Sequence, residues 1–258
     1  MSEAVNRANL ALVVALLPVV GLVTACGAGR DETRSRATVL VFAAASLTDA
    51  MAGIEEAFEA EHPDLDVELN LAGSASLRAQ ILAGAQADVV ATANEAVMDD
   101  LVAAGAIGGS TTIFATNRLT IAVAEGNPAE VIGLEDFARP DPFLGLCAAG
   151  VPCGDLADAA LERAGVVPDV DTREPDVRTL LARIETGELD AGLVYASDAA
   201  TSDRVEEIAL PVDLAAETDY PVAVLAGAPC PSGARAFVEF LVSDRGREIV
   251  TRAGFGPP

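Results

Sequence analysis

Tryptophan is absent from this chain of 258 residues, and so is lysine: all 16 basic residues are arginine. Aromatic residues make up only 4% of the sequence, so a core has to be assembled mainly from Ala, Val, Leu and Ile. The hydrophobic content of 51% is enough for one large or two modest domains. Positive charge is scarce beside 40 acidic residues, and the formal net charge is −24. Such a surface repels nucleic acid and anionic lipid at long range, which argues against both as charge-steered partners. A small anion is not excluded, because oriented amides and hydroxyls act at short range whatever the net charge. Histidine occurs once, as His62 in the polar, helix-ending sequence Glu61-His62-Pro63-Asp64. With no G-x-S-x-G elbow, an exported hydrolase built on a nucleophile and a histidine base finds no support, and His62 reads as a solvated loop residue. No Cys/His cluster has metal-ligand spacing. Asp169-Val170-Asp171 begins like a calcium loop but lacks the turn glycine and the closing glutamate, so it reads as a charged surface loop.

A membrane-spanning run is also missing. The apolar stretch 10–23, preceded by Arg7, is too short for a span and of the right length for the core of a signal peptide. It ends Val23-Thr24-Ala25-Cys26-Gly27, which resembles a bacterial lipoprotein box, in which the cysteine becomes the lipidated first residue after cleavage. The expectation is a leader at 1–25, lipidation at Cys26 and a polar tether over 26–37 that holds the domain at the outer face of the cytoplasmic membrane. Three cysteines remain in the exported part. In an oxidising compartment a pair should close, and Cys147 with Cys153 is the simplest choice; pairing of either with Cys230 stays open.

What is present is an alternation of strands and helices organised around residues 39–51, VLVFAAASLTDAM. The β-branched run 39–42 suits a buried parallel strand. Leu47, Ala50, Met51, Ile54 and Phe58 then fall at helical spacing, which puts Ser46 at the N-cap of a strand-to-helix turn. Free N–H groups and the positive end of a helix dipole converge at such a turn and attract anions. The device recurs: a strand over 66–71 leads to Gly73-Ser74 and a helix with Leu77, Ile81 and Leu82. A strand over 88–92 leads to a helix capped by Asn94. Further strands are expected at 119–124, 143–146, 191–195, 208–211 and 220–225, with helices at about 154–163, after Pro175-Asp176, after Ser232 as cap, and over 244–253. This βαβα series predicts α/β sheets. The extended runs 119–124 and 220–225 bracket the middle third and suit strands crossing between two lobes.

Seven segments, in order, resemble the periplasmic molybdate-binding proteins of ABC importers: FAAASLTDAM at 42–51, GSASLRAQI at 73–81, ADVVATAN at 87–94, GVPCG at 150–154, PDVR at 175–178, GLVYASDA at 192–199 and YPVAV at 220–224. The resemblance covers 38–256 and implies a two-lobed α/β fold of the type II periplasmic-binding class. Each lobe would be a mainly parallel sheet flanked by helices, with the ligand cleft between them. The lobes are expected at 38–118 with 226–258, and at 119–225 including the crossing strands. Carried over, the family's oxyanion ligands fall on Ser46 and Ser74 (hydroxyl and N–H), Cys153 and Val177 (backbone N–H) and Tyr195 (phenol). The sequence departs from the family at Cys153, where alanine is frequent, and whether Ser74 or Ser76 makes its contact is left open. Arg78 and Arg178 read as solvated.

The implied role is capture of molybdate or tungstate for a permease driven by a cytoplasmic ATPase, by a monomer without enzymatic activity, cofactor or free metal cation. The alternative is the same fold holding another tetrahedral oxyanion such as sulfate. A site of donors only suits a fully deprotonated dianion and rejects hydrogen phosphate, whose proton needs an acceptor.

Overall fold

The first strand, β1 (Ala37–Ala44), turns Val39, Val41 and Ala43 to one face of its sheet and Phe42 to the other, the period of two that a strand buried on both sides requires. The computed structural model describes residues 36–212, 214 and 216–258. The expected leader, Cys26 and most of the tether lie outside the described residues. Among the described residues no helix is long and apolar enough to cross a membrane.

After β1 a single 3-10 turn, Ala45–Leu47, feeds α1 (Thr48–Glu61). Leu47, Met51, Ile54 and Phe58 are wholly buried on the side facing the sheet. Each such side chain contributes about 1.5–3 kcal/mol by leaving water. The sequence pattern puts Ser46 at the helix cap, and here the structure differs. Ser46 lies inside the 3-10 turn, Leu47 occupies the position before α1, and no side chain caps that helix. The serine hydroxyl is drawn instead to a tyrosine described below.

The chain continues through β2 (Leu65–Ala72), α2 (Ser74–Leu82), β3 (Val89–Ala91), α3 (Glu95–Ala103) and β4 (Thr112–Ala124). It then forms β5 (Leu144–Cys147), α4 (Pro152–Ala164), β6 (Thr172–Glu174), α5 (Val177–Glu185), β7 (Ala191–Tyr195) and the short α6 (Ala196–Ala200). Last come β8 (Val205–Ala209), β9 (Glu217–Val224), α7 (Pro231–Leu241) and α8 (Asp244–Arg252). Asn94 caps α3 by accepting from Val97 N at 3.0 Å. Gly165 ends α4 with φ at 71°, a left-handed conformation that glycine adopts without a Cβ penalty. At α7 the expected cap Ser232 sits inside the helix and Cys230 takes the cap position. Pro231 accounts for the shift, since its fixed φ and missing N–H suit the first helical position.

The strands run in the order β2-β1-β3-β9-β4-β7-β5-β6, with β8 also on β4. β2, β1 and β3 are mutually parallel, as are β6, β5 and β7, whereas β9 and β4 run antiparallel to their neighbours. Each lobe is therefore a mixed sheet, with one set of three parallel strands and antiparallel pairing at β9, β4 and the edge strand β8. β4 belongs to both: residues 112–118 pair with β9, and 119–124 pair with β7 and β8. β9 in turn pairs with β3, so its hydrogen bonds tie 217–224 to the first set of strands rather than to the second lobe expected for them. The strand expected at 119–124 is thus the second half of a longer one, whose first half carries the polar residues Thr116, Asn117 and Arg118.

Candidate ligand-binding site

Six strands end at one cavity. β1 runs into Ala45 and Ser46, β2 into Gly73 and Ser74, β3 towards Ala93, β5 towards Val151–Cys153, β6 into Asp176 and Val177, and β7 ends at Tyr195; all of these residues line the cavity. It admits the centre of a water-sized sphere over about 20 Å³, space for a compact ion rather than an organic molecule. The structure brings Ser46, Ser74, Cys153, Val177 and Tyr195 together around this volume, the two serines from the first lobe and the other three from the second. Ser76, by contrast, is exposed and accepts from Gln80 Nε2 at 3.2 Å. Arg78 is ion-paired with Asp100 away from the cavity.

Backbone geometry makes the cavity a donor site. Ser74 and Val177 are the first residues of α2 and α5, and Cys153 is in the first turn of α4. N–H groups at such positions have no partner within the helix, and the helix dipoles add positive potential. Asp176 turns its carboxylate away from the role of acceptor in the cavity: it caps its own helix, taking Thr179 N at 2.8 Å and Thr179 Oγ1 at 3.1 Å. Asp155, also in α4's first turn, accepts from Gly150 N at 2.7 Å and orders the loop before Cys153.

The side chains point the same way. Ser74 Oγ accepts from Ala93 N at 3.0 Å, and Ser46 Oγ lies 2.8 Å from Tyr220 Oη. Tyr195 Oη is buried without a hydrogen-bond partner among the described residues. Burial, with a smaller contribution from Tyr220, pushes the Tyr195 phenol well above the ordinary range, so it remains a protonated donor. An orphan buried hydroxyl costs about 1–3 kcal/mol unless something fills the cavity and accepts from it.

Cys147 and Cys153 form a disulfide, and Cys230 is free. The bridge fastens the start of α4, and with it the Cys153 amide, to the end of β5. Gly73 matters for a different reason. A Cβ there would stand 2.8 Å from Pro175 O and 3.2 Å from Asp176 Cβ, so only glycine lets the two lobes approach this closely beside Ser74.

Sequence reasoning missed three features. Arg178 is partly exposed and off the cavity, as expected, but it is not free of partners: Nη1 reaches Asp49 Oδ2 at 3.1 Å, Thr201 Oγ1 at 3.3 Å and Asp198 Oδ1 at 3.5 Å. Tyr220 was legible only as part of a strand, because its partner Ser46 is 174 residues away. The closeness of Gly73 to Pro175 likewise leaves no local signal. His62 ends α1 with its ring 4.4 Å from that of Phe58, and among the described residues no cluster of His, Cys, Asp or Glu could hold a metal ion.

The chain is similar in sequence and in fold to known proteins. Over 254 residues the chain is 37% identical to the molybdate-binding protein ModA of Mycobacterium tuberculosis H37Rv, covering 96% of this chain and 97% of that protein. Its fold is similar to that of the Azotobacter vinelandii periplasmic molybdate-binding protein, with a TM-score of 0.76 and 18% identity across 85% of this chain and 99% of that one. It is similar also to the sulfate-binding protein SubI of Mycobacterium tuberculosis, with a TM-score of 0.75 and 20% identity across 86% of this chain and 87% of that one. At these identities the two structures bear on the fold alone. The family profile of the bacterial extracellular solute-binding proteins matches residues 39–256, and the chain belongs to that family.

Proposed function

We propose that this protein captures molybdate, and with it tungstate, outside the cytoplasmic membrane and delivers it unchanged to an ABC permease. The observation that carries the reading is a cavity for one compact ion lined by hydroxyls and helix-start amides, with Asp176, the one carboxylate residue in the lining, engaged by Thr179 as a helix cap. Ser46, Ser74 and Tyr195 would give side-chain hydrogens, and Cys153 and Val177 their amides. A fully deprotonated tetrahedral dianion can accept from all of them. Hydrogen phosphate would set its own proton against a donor and lose at least one contact. The name of the mycobacterial relative supports molybdate in particular.

Attachment through a lipidated Cys26, action as a monomer, and the division into a lobe of 38–118 with 226–258 and a lobe of 119–225, with β9 reassigned to the first, complete the reading. Calorimetry of the soluble domain with molybdate, tungstate, sulfate and phosphate tests it. Molybdate and tungstate should bind, and at a thousandfold excess over Kd each should stabilise the fold by about 4 kcal/mol. Phosphate should do neither. Ser46→Ala should weaken molybdate binding by about 1.5–3 kcal/mol, the range for a hydrogen bond to a charged group. Heat evolved with sulfate and none with molybdate would assign the same site to the other oxyanion, as the fold of the sulfate-binding protein permits.

A further inference from the structure

The strand motif YPVAV has a role beyond its strand, and it begins at Ser46. Ser46 is 5% exposed and its Oγ has one hydrogen-bonding neighbour among the described residues, Tyr220 Oη at 2.8 Å. Which of the two hydroxyls donates decides what Ser46 can offer a ligand. If serine donated to tyrosine, Ser46 would present only lone pairs to the cavity and would repel an anion.

The next residue along settles the direction. Asn117, on β4, orients its amide by accepting Arg118 N on Oδ1 at 3.0 Å, an assignment that follows from the network because an N–H cannot bond an NH₂ group. Its Nδ2 is thereby turned to Ser197 Oγ, at 2.7 Å, and to Tyr220 Oη, in a long contact of 3.5 Å. Asn117 Nδ2 has only hydrogens to give. Tyr220 Oη therefore receives from Asn117, and the acceptor left for its own hydrogen is Ser46 Oγ. With its lone pair so engaged, Ser46 has its hydrogen free and no protein acceptor for it except across the cavity. Ser74 is arranged alike by a shorter route, since the Ala93 amide can only donate to it.

Tyr220 is wholly buried and cannot reorient. Its ring is held edge-on between those of Phe114, Phe255 and Tyr195, with centroids 6.4, 5.2 and 6.1 Å away. Burial raises its pKa, so the phenol keeps the proton that the arrangement requires.

We infer that Tyr220, held by Asn117, is a positioning residue that fixes Ser46 as an obligate hydrogen-bond donor and so helps to confine the site to fully deprotonated oxyanions. The inference rests on the oxyanion reading of the cavity but not on which oxyanion fills it.

The test is a double-mutant cycle on the whole exported domain, read by calorimetry with molybdate: wild type, Tyr220→Phe, Ser46→Ala and the double variant. Tyr220→Phe keeps the ring packing and should cost roughly 3- to 10-fold in affinity, the scale of one net hydrogen bond. In the Ser46→Ala background the same change should cost nothing, because the serine through which the tyrosine acts has gone. An equal loss in both backgrounds, or no loss in either, overturns the inference, since a packing role would not depend on Ser46. If Tyr220→Phe does not yield a folded apo domain, Asn117→Ala takes its place. That variant should cost about 2- to 5-fold with Ser46 present and nothing without it, and any other pattern again overturns the inference. Should wild type bind sulfate and not molybdate, the substrate reading fails and the cycle is run with sulfate, with the same expectations. A wild type that binds no oxyanion in the panel overturns both.

Discussion

Arg178 Nη1 lies 3.1 Å from Asp49 Oδ2, and the pair joins a helix of one lobe to a helix of the other. Asp49 is in the first turn of α1, three residues beyond Ser46, and Arg178 directly follows Val177 at the start of α5. The ion pair therefore closes over the same turns that line the cavity. It acts on the approach of the lobes without touching the ligand position.

Breaking this pair should speed ligand release and leave capture unchanged. Both partners are partly exposed, with side-chain exposures of 32% and 46%, so the interaction is worth about 0.5–1 kcal/mol rather than the several of a buried pair. Asp49→Asn, which leaves the Arg178 contact with Asp198 in place, should raise the molybdate dissociation rate by roughly 2- to 5-fold. Stopped-flow displacement measures this directly. A dissociation rate equal to wild type at low salt would show that the pair does not hold the cleft.

Gly73→Ala should act on the same closure through space instead of charge. The added Cβ meets a backbone oxygen, Pro175 O, at 2.8 Å, and a backbone atom does not swing aside as a side-chain tip would. Gly73 has φ at −57°, which alanine adopts freely, so the apo first lobe should keep its fold. The lobes must part by a few tenths of an ångström, which lengthens every hydrogen bond that spans the cavity. Affinity should fall by about 10-fold or more, with apo thermal stability within about 1 kcal/mol of wild type. Unchanged molybdate affinity in this variant would mean that the bound state does not bring Gly73 and Pro175 this close.

Ser46 and Ser74 were legible as small-residue turns between a strand and a helix, whereas Cys153, Val177 and Tyr195 were assigned by the family resemblance. A strand, a small-residue turn and a helix start leave marks within about ten residues, as at Ser46 and Ser74. The pairing of β9 with β3 was not legible, since an apolar strand such as YPVAV fits either lobe by composition. Nor was the first half of β4, whose polar residues Thr116, Asn117 and Arg118 lie outside the strand expected at 119–124. The relations that tune the cavity, Tyr220 with Ser46 and Arg178 with Asp49, join positions 174 and 129 residues apart. Local pattern assigns such residues only their exposure, and for Arg178 it left out the partners across the lobes.

The last prediction concerns pH. Asp198 is wholly buried in α6, its Oδ1 3.5 Å from Arg178 Nη1 and its Oδ2 without a hydrogen-bond partner among the described residues. Burial pushes its pKa up to about 8; Arg178 opposes the shift, and the carboxylates of Asp49 and Asp176 add to it. In the unfolded chain the same group titrates near 3.9, roughly the value of a free aspartate. Between these two values the folded state holds a proton that the unfolded state has released. This contribution to stability is thus complete below about pH 4, and it is lost progressively as pH rises through about 8, at up to about 1.4 kcal/mol per pH unit. Asp198→Asn mimics the neutral form at every pH and should lack the decline. Thermal unfolding of the two proteins from pH 4 to 9 isolates the effect, because every other titrating group is common to both. The variant should unfold close to wild type at pH 4, and its unfolding temperature should rise progressively above that of wild type up to about pH 8. Parallel curves across that range would mean that Asp198 is already ionised in the fold and that Arg178 outweighs its burial.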